Sequence, residues 1–175
     1  YHLQSAKEFY QQGYIGFVPH NVYANMPLGA EMHSLAAMVM VGQSDAWLGG
    51  LIGKSITASI TLLGAGLLGA FMTRRFGVET GWCAAALWLA TPGIDRVSSV
   101  GLIDGALATY LMAAALAVAA AWELASASNR ADVLPDADAK DRTITESKLR
   151  MYWRIAGVTA GGAAAIKYPG LILAV

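Results

Sequence analysis

The sequence AWLGGLIGKSITASITLLGAGLLGAFM, residues 46–72, decides the fold class of this chain. It is about 27 residues long, carries Lys54 as its one charged side chain and is followed by Arg74 and Arg75. An α-helix of roughly 20 apolar residues crosses the hydrocarbon core of a bilayer, so this stretch is long enough to span a membrane with some tilt. We therefore predict an all-α integral membrane protein.

Three further apolar segments follow, at about 78–94, 97–122 and 153–175, which predicts a polytopic transmembrane helical bundle over residues 46–175. The composition agrees, because 14% charged residues is well below the roughly 25% of soluble domains. Residues 124–150 mix acidic and basic side chains without an apolar period, which predicts a mobile cytoplasmic loop. A formal net charge of zero argues against nucleic acid as a partner.

Residues 1–45 are predicted to form a first outer loop that carries interfacial amphipathic helices. Leu3, Ala6 and Tyr10 recur at helical spacing, which predicts a short helix ended by Gly13. After turn formers in the following stretch, Pro27 is suited to the first turn of a second interfacial helix that runs to Val41. Basic residues concentrate on the side of Arg74 and of the 124–150 loop, so we expect the first loop outside and the 124–150 loop in the cytoplasm.

Glycines at helical spacing predict close contacts between helices. Gly49 with Gly53 and Gly157 with Gly161 both have this spacing. The run from Gly64 to Gly69 matches the dinucleotide-binding pattern G-x-G-x-x-G. It lies inside an apolar span and lacks the strand and helix start that the pattern needs, so we interpret it as helix packing. Cys83, the single cysteine, is interpreted as a small buried apolar residue.

Asp104 is the polar residue of the spans that points most directly to chemistry. A carboxylate in a span is costly and usually faces the bundle interior or a wet cavity. Asp104 is therefore either an acid of a functional site or the structural partner of Lys54, Lys167 or Arg96. Lys167 either pairs with Asp104 or holds a phosphate group. Lys54 is expected to have a structural role.

The three histidines, His2, His20 and His33, lack the short spacing of a metal site, so no metal ligand is assigned. Each can donate a hydrogen bond to a phosphate or a sugar hydroxyl. His33 is in addition expected to pack on the apolar interfacial helix.

Five segments together resemble the bacterial GT-C membrane glycosyltransferases of the protein O-mannosyltransferase and aminoarabinose transferase superfamily, which is glycosyltransferase family 39-like. The resemblance covers nearly the whole chain except residues 124–150. It rests on the order and spacing of these segments: Y-H-L-x-x-A-K-x-F-Y-x-x-G from Tyr1, P-H-N-x-Y-x-N-x-P-L-G-x-E-M from Pro19, Arg74-Arg75-Phe76-Gly77, Ile103-Asp104-Gly105-Ala106-Leu107, and Ala165-Ile166-Lys167-Tyr168-Pro169-Gly170.

The resemblance implies an inverting enzyme of a bacterial cell inner membrane that transfers a sugar from a polyprenyl-phosphate donor to an acceptor on the outer face of the bilayer. It implies Asp104 as a catalytic acid, and His2, His20, Asn25 and Lys167 as groups that bind sugar or phosphate. In the family the principal carboxylate precedes the Tyr-His-Leu segment. We therefore expect it upstream of Tyr1, and we expect the chain to be a fragment that is inactive alone.

Relatives carry a charged residue just before the Pro of the loop, where this chain has Asn25 and Met26. This departure leaves open whether a divalent metal takes part. The sugar and the acceptor are not specified. A transporter or flippase module, with Asp104 and Lys167 lining a path, is the alternative function, and a non-catalytic assembly subunit is a third.

Overall fold

The computed structural model describes residues 2–26, 28–42, 45–94, 103–131 and 139–167. These residues are helical with no strand, as the sequence predicts. In chain order the helices are α1 (His2–Gln12), a 3₁₀ helix (Val22–Asn25), α2 (Glu31–Val41), α3 (Ala46–Phe76), α4 (Val78–Ala90), α5 (Asp104–Ala131) and α6 (Ala139–Ile166).

Two helices, α3 and α5, are long and apolar enough to cross a membrane. The predicted spans at 46–72 and 97–122 correspond to them, although residues 97–102 lie outside the described part. The spans predicted at 78–94 and 153–175 do not correspond to helices that are long and apolar enough to cross a membrane in the described residues. α4 has 13 residues, and the first half of α6 is charged. Residues 168–175 also lie outside the described part.

The prediction of a loop at 124–150 is wrong for most of its length. α5 continues to Ala131, and α6 begins at Ala139. Mixed charges led to the loop interpretation, but an exposed helix is also polar on much of its surface. Glu146 and Arg150, one turn apart on α6, form an ion pair at 3.5 Å of the kind that supports such a helix.

The α2–α3 contact depends on two glycines and confirms the prediction for Gly49 and Gly53. A Cβ on Gly53 would lie 2.4 Å from Cα of Ser34, and one on Gly49 would lie 2.6 Å from Cα of Met38. The two helix backbones can approach only because these side chains are absent. α2 begins at Glu31 and not near Pro27, so the predicted start was too early.

The second glycine prediction fails, because nothing lies within 4 Å of a Cβ placed on Gly157 or Gly161. Their neighbour Gly162 makes the contact between α6 and α5 instead. A Cβ there would lie 2.7 Å from the ring of Tyr110.

The glycine run at 64–69 is inside α3, as the packing interpretation requires. A Cβ on Gly64 would lie 2.7 Å from the hydroxyl of Thr109 on α5, and one on Gly69 would lie 3.2 Å from Gly81 on α4. The indole of Trp88 donates to the carbonyl of Thr61 at 3.1 Å and adds a hydrogen bond between α4 and α3. Cys83 on α4 is exposed, so the prediction that it is buried is wrong.

Residues 2–42 form an N-terminal layer that packs on α3 through α2. In this layer Phe9 of α1 is buried with Val18 and Ala24, and apolar side chains of α2 cover them. Gly13 ends α1 as predicted: its φ is 77°, and its N–H donates to the carbonyl of Phe9 at 3.0 Å. A glycine accepts this positive φ without the steric cost that another residue would meet.

Candidate functional site

The N-terminal layer meets the bundle at the start of α5 and the end of α6. The N–H of Gly29 donates to the carbonyl of Ala165 at 2.9 Å. Ala30, which is 2% exposed, packs in a buried cluster with residues of both helices. The members of this cluster are Ala30, Ile103, Ala106, Leu107, Ala163 and Ile166. The start of α2 is therefore anchored where the chain enters α5 and leaves α6.

Asp104 and Lys167 form an ion pair at this junction. The ammonium of Lys167 donates to a carboxylate oxygen of Asp104 at 2.7 Å. Asp104 is the first residue of α5, and Lys167 directly follows the last residue of α6. Each charge therefore lies at the helix terminus whose dipole favours it. Both side chains are about 40% exposed, so a ligand can reach them.

The pair shows which cation contacts Asp104 among the described residues. Of the three cations considered as partners of Asp104, Lys167 is the one in contact with it in the described part, and Arg96 lies outside that part. An ammonium has three N–H donors. Lys167 can therefore keep its bond to Asp104 and donate to an anionic ligand as well.

Glu8 of α1 organises a second polar group, in which three side chains contact one carboxylate. Gln4 donates to it at 2.8 Å, His20 at 3.2 Å and Asn21 at 3.3 Å. The bond from Gln4, followed by those from His20 and Asn21, holds the pKa of Glu8 below its ordinary value of 4.5, against the opposing effect of burial. His20 itself is 71% exposed, so its ring remains accessible to a ligand.

Asn25 closes the loop that carries His20. Its side-chain carbonyl accepts from the N–H of Val18 at 3.1 Å, and its amide donates to the carbonyls of Val18 at 3.0 Å and Asn21 at 3.1 Å. These three bonds occupy the amide group and give Asn25 a structural role in the loop. Its predicted contact with sugar or phosphate stays a prediction.

His2 and His33 are the remaining residues that the sequence offers as donors to sugar or phosphate. His2 starts α1, and its side chain lies outside the described part. His33 donates from Nδ1 to the carbonyl of Ala30 at 3.1 Å, within the first turn of α2. Among the described residues, no group of three or more His, Cys, Asp or Glu side chains is placed to hold a metal ion.

Two acidic residues of this region were missed in the sequence. Glu8 belongs to a helix that the sequence predicts to be amphipathic, on which a charged side chain is expected at the surface, yet it is 8% exposed. Its partners His20 and Asn21 lie 12 and 13 residues away, so no local sequence pattern predicts these contacts. Glu31 is 3% exposed at the start of the apolar helix α2. The reasoning that selected Asp104, an acid beside apolar residues, would have selected Glu31 too.

A scan against protein-family models, a search of curated proteins and a search of solved structures found no match to this chain.

Proposed function

We propose that this chain is part of an integral membrane glycosyltransferase that transfers a sugar from a polyprenyl-phosphate donor to an acceptor on the outer face of a bacterial inner membrane. The observation that carries the proposal is the Asp104–Lys167 pair, accessible at 2.7 Å separation where the N-terminal layer meets α5 and α6. A cation at this place suits the phosphate of a donor. The resemblance in the five sequence segments supplies the reaction class.

The reaction requires charge stabilisation at the phosphate. The bond between C1 of the sugar and the phosphate oxygen breaks, and polyprenyl phosphate leaves with the bonding electrons. A new bond forms between C1 and the acceptor oxygen, whose proton passes to a general base. Negative charge therefore grows on the leaving phosphate, and a fixed cation there lowers the barrier. We assign this cation to Lys167.

Asp104 positions Lys167 in this scheme. A carboxylate that accepts a hydrogen bond from an ammonium at 2.7 Å keeps the ammonium in place. This makes Asp104 a positioning residue for the donor phosphate. By resemblance, the general base is a carboxylate of the first outer loop.

The N-terminal layer provides the wall of the pocket in this proposal. Glu8 and Asn25 hold the loop of residues 14–25 in one shape, and His20 presents an exposed ring at its surface. His20 can then donate to a sugar hydroxyl or a phosphate oxygen. His2 remains assigned to the same wall by resemblance.

The two long apolar helices support a placement of the site at a membrane surface. Glu123 lies 19 residues after Asp104 on α5, which is about 28 Å at 1.5 Å per residue. The hydrocarbon core of a bilayer is about 30 Å thick. With α5 crossing the bilayer, Asp104 lies at one interface and Glu123 at the other.

The test uses the full-length protein in liposomes with a radiolabelled polyprenyl-phosphate sugar. We expect transfer of the label to an acceptor together with release of polyprenyl phosphate. Lys167→Met should lower kcat and raise the KM for the donor, and Lys54→Met, which removes a lysine from α3, should change neither. Uptake of a solute without consumption of the donor would contradict the proposal and support the transporter.

A further inference from the structure

A groove opens between α3, α5 and α6 at the opposite end of α5 from Asp104. Its volume is about 750 Å³, within the roughly 300–1,000 Å³ of small-molecule sites. Its walls are apolar, with Leu67 and Phe71 on α3, Leu116 on α5 and Ile155 on α6. α5 contributes four alanines to the lining, and these short side chains leave the space open.

The mouth of this groove, which we call the cationic groove, carries an excess of positive charge. Arg74, Arg75 and Lys148 line it together with one acid, Glu123. Arg75 forms an ion pair with Glu123. Among the described residues, no carboxylate forms an ion pair with Arg74 or Lys148. Within the described part of the chain, two positive charges at the mouth therefore remain for a ligand.

A second groove on the other side of α5 and α6 provides an internal comparison. Its volume is about 790 Å³, and its walls are also apolar, with Trp122 and Trp153 among them. Glu123 is its one charged lining residue, and no Lys or Arg lines it. The two grooves have similar size and differ in charge. Packing of α5 against α6 therefore does not by itself require cations at a groove mouth.

We infer that the cationic groove binds an anionic phospholipid, with its phosphate between Arg74 and Lys148 and one acyl chain along Leu67 and Leu116. Apolar walls leading from a charged mouth match an amphiphile, whereas a small phosphate ester would leave these walls in contact with water. The mouth lies at the level of Glu123, which the membrane placement proposed above puts at the interface where lipid headgroups lie. Basic side chains at the level of the headgroups attract anionic lipids.

This inference rests on the membrane placement of α3 and α5 and is independent of sugar transfer. The test is native mass spectrometry of the delipidated full-length protein in detergent micelles. The protein is titrated with phosphatidylglycerol and with phosphatidylcholine of the same acyl chains. We expect phosphatidylglycerol to bind on the order of tenfold more tightly.

Two pairs of variants locate the binding. The double variant Arg74→Gln with Lys148→Gln should abolish the preference for phosphatidylglycerol. The double variant Arg150→Gln with Arg154→Gln removes the same charge outside both grooves and should keep it. Ala120→Phe places a ring in the cationic groove and should block binding, whereas Ala115→Phe fills the other groove and should not.

The Ala120 and Ala115 pair keeps the inference testable if the charge variants fail to fold. Equal affinity for the two lipids would overturn it. So would binding that is unchanged in Ala120→Phe, or full displacement of the lipid by equimolar glycerol phosphate, which would identify the site as one for a soluble phosphate ester.

Discussion

Asp104 at the first end of α5 and Glu123, 19 residues further towards its second end, each pair with a cation from a neighbouring segment, yet their surroundings differ. At the first end, Asp104 and Lys167 adjoin the buried cluster around Ala30 and the N-terminal layer. At the second end, Arg75 and Glu123 border an open groove with two further cations. The comparison teaches that the ion pairs alone do not distinguish the ends, since all four side chains are 38–42% exposed.

What distinguishes the ends is the backbone beside each pair. The contact of Gly29 with Ala165 and the contacts of Gly49 and Gly53 with α2 fix an irregular segment at the first end. Such a layer can form a pocket of defined shape around a charged pair. The described residues at the second end are helical, and alanines of α5 shape its groove. We accordingly propose the sugar-transfer site for the first end and a lipid site for the second.

The largest effect is expected for Gly53→Leu, which inserts a side chain where Ser34 of α2 lies. A Cβ at Gly53 would be 2.4 Å from Cα of Ser34, so the N-terminal layer must move away from α3. We expect a loss of about 3 kcal/mol or more in unfolding free energy, measured by denaturation in detergent. Gly66→Leu on the same helix, where nothing lies within 4 Å, is the control. Equal stability of the two variants would show that α2 is not anchored on α3.

Gly29→Ala is expected to have the next largest effect, because it acts at the junction itself. The new Cβ would lie 2.8 Å from the carbonyl oxygen of Ala165 and push the layer away from the end of α6. We expect a loss of about 1–2 kcal/mol in stability, together with a clear drop in transfer activity. Gly93→Ala, at a position with open space, should change neither. Full transfer activity in Gly29→Ala would show that the contact between Gly29 and Ala165 is not needed for the proposed site.

Glu123→Gln should have a smaller effect, because an exposed pair contributes little. The side chains of Arg75 and Glu123 are 38% and 42% exposed, and such pairs contribute about 0–1 kcal/mol. Thermal unfolding should therefore change little, as it should in Glu146→Gln, which removes the helix pair with Arg150. A loss above about 2 kcal/mol in unfolding free energy for Glu123→Gln alone would mean that this pair stabilises the second end as strongly as packing stabilises the first.

The smallest effect concerns pH and the Glu8 group. Because hydrogen bonds lower the pKa of Glu8 from 4.5, the folded chain binds this proton less well than the unfolded chain. The contribution of ionised Glu8 to stability is therefore fully present above pH 4.5. It is lost as the pH falls through the lower pKa that Glu8 has in the folded chain. The difference in unfolding temperature between wild type and Glu8→Gln should shrink in that range. The difference for Lys7→Gln should stay constant, and a gap that persists in acid would contradict the network.

The sequence predicted several features that depend on local spacing, although the same spacing at Gly157 and Gly161 makes no close contact. Apolar length predicted α3 and α5, the period of Leu3 and Ala6 predicted α1, and the spacing of Gly49 and Gly53 predicted a close contact. The 124–150 region was missed, because an exposed helix and a loop share the same polar composition. Only two of the four predicted spans are long and apolar enough in the described residues.

The sequence predicted the residues of the candidate site better than it predicted the contacts between them. Asp104 and Lys167 were recognised as costly charges in apolar surroundings, and their pairing was one of several options. The choice depends on packing between α5 and α6, since the two residues are 63 positions apart. Glu8 could not be recognised because its partners belong to a loop whose path is set by Asn25 and Gly13.

The most direct test of the account compares Asp104→Asn with Glu123→Gln in one transfer assay on the full-length protein. The two substitutions remove the same charge from the same helix, at opposite ends. We predict a loss of about a hundredfold or more in kcat/KM for Asp104→Asn, and activity within about twofold of wild type for Glu123→Gln. Wild-type activity in Asp104→Asn, or an equal loss in both variants, would contradict the assignment of the site to the Asp104 end.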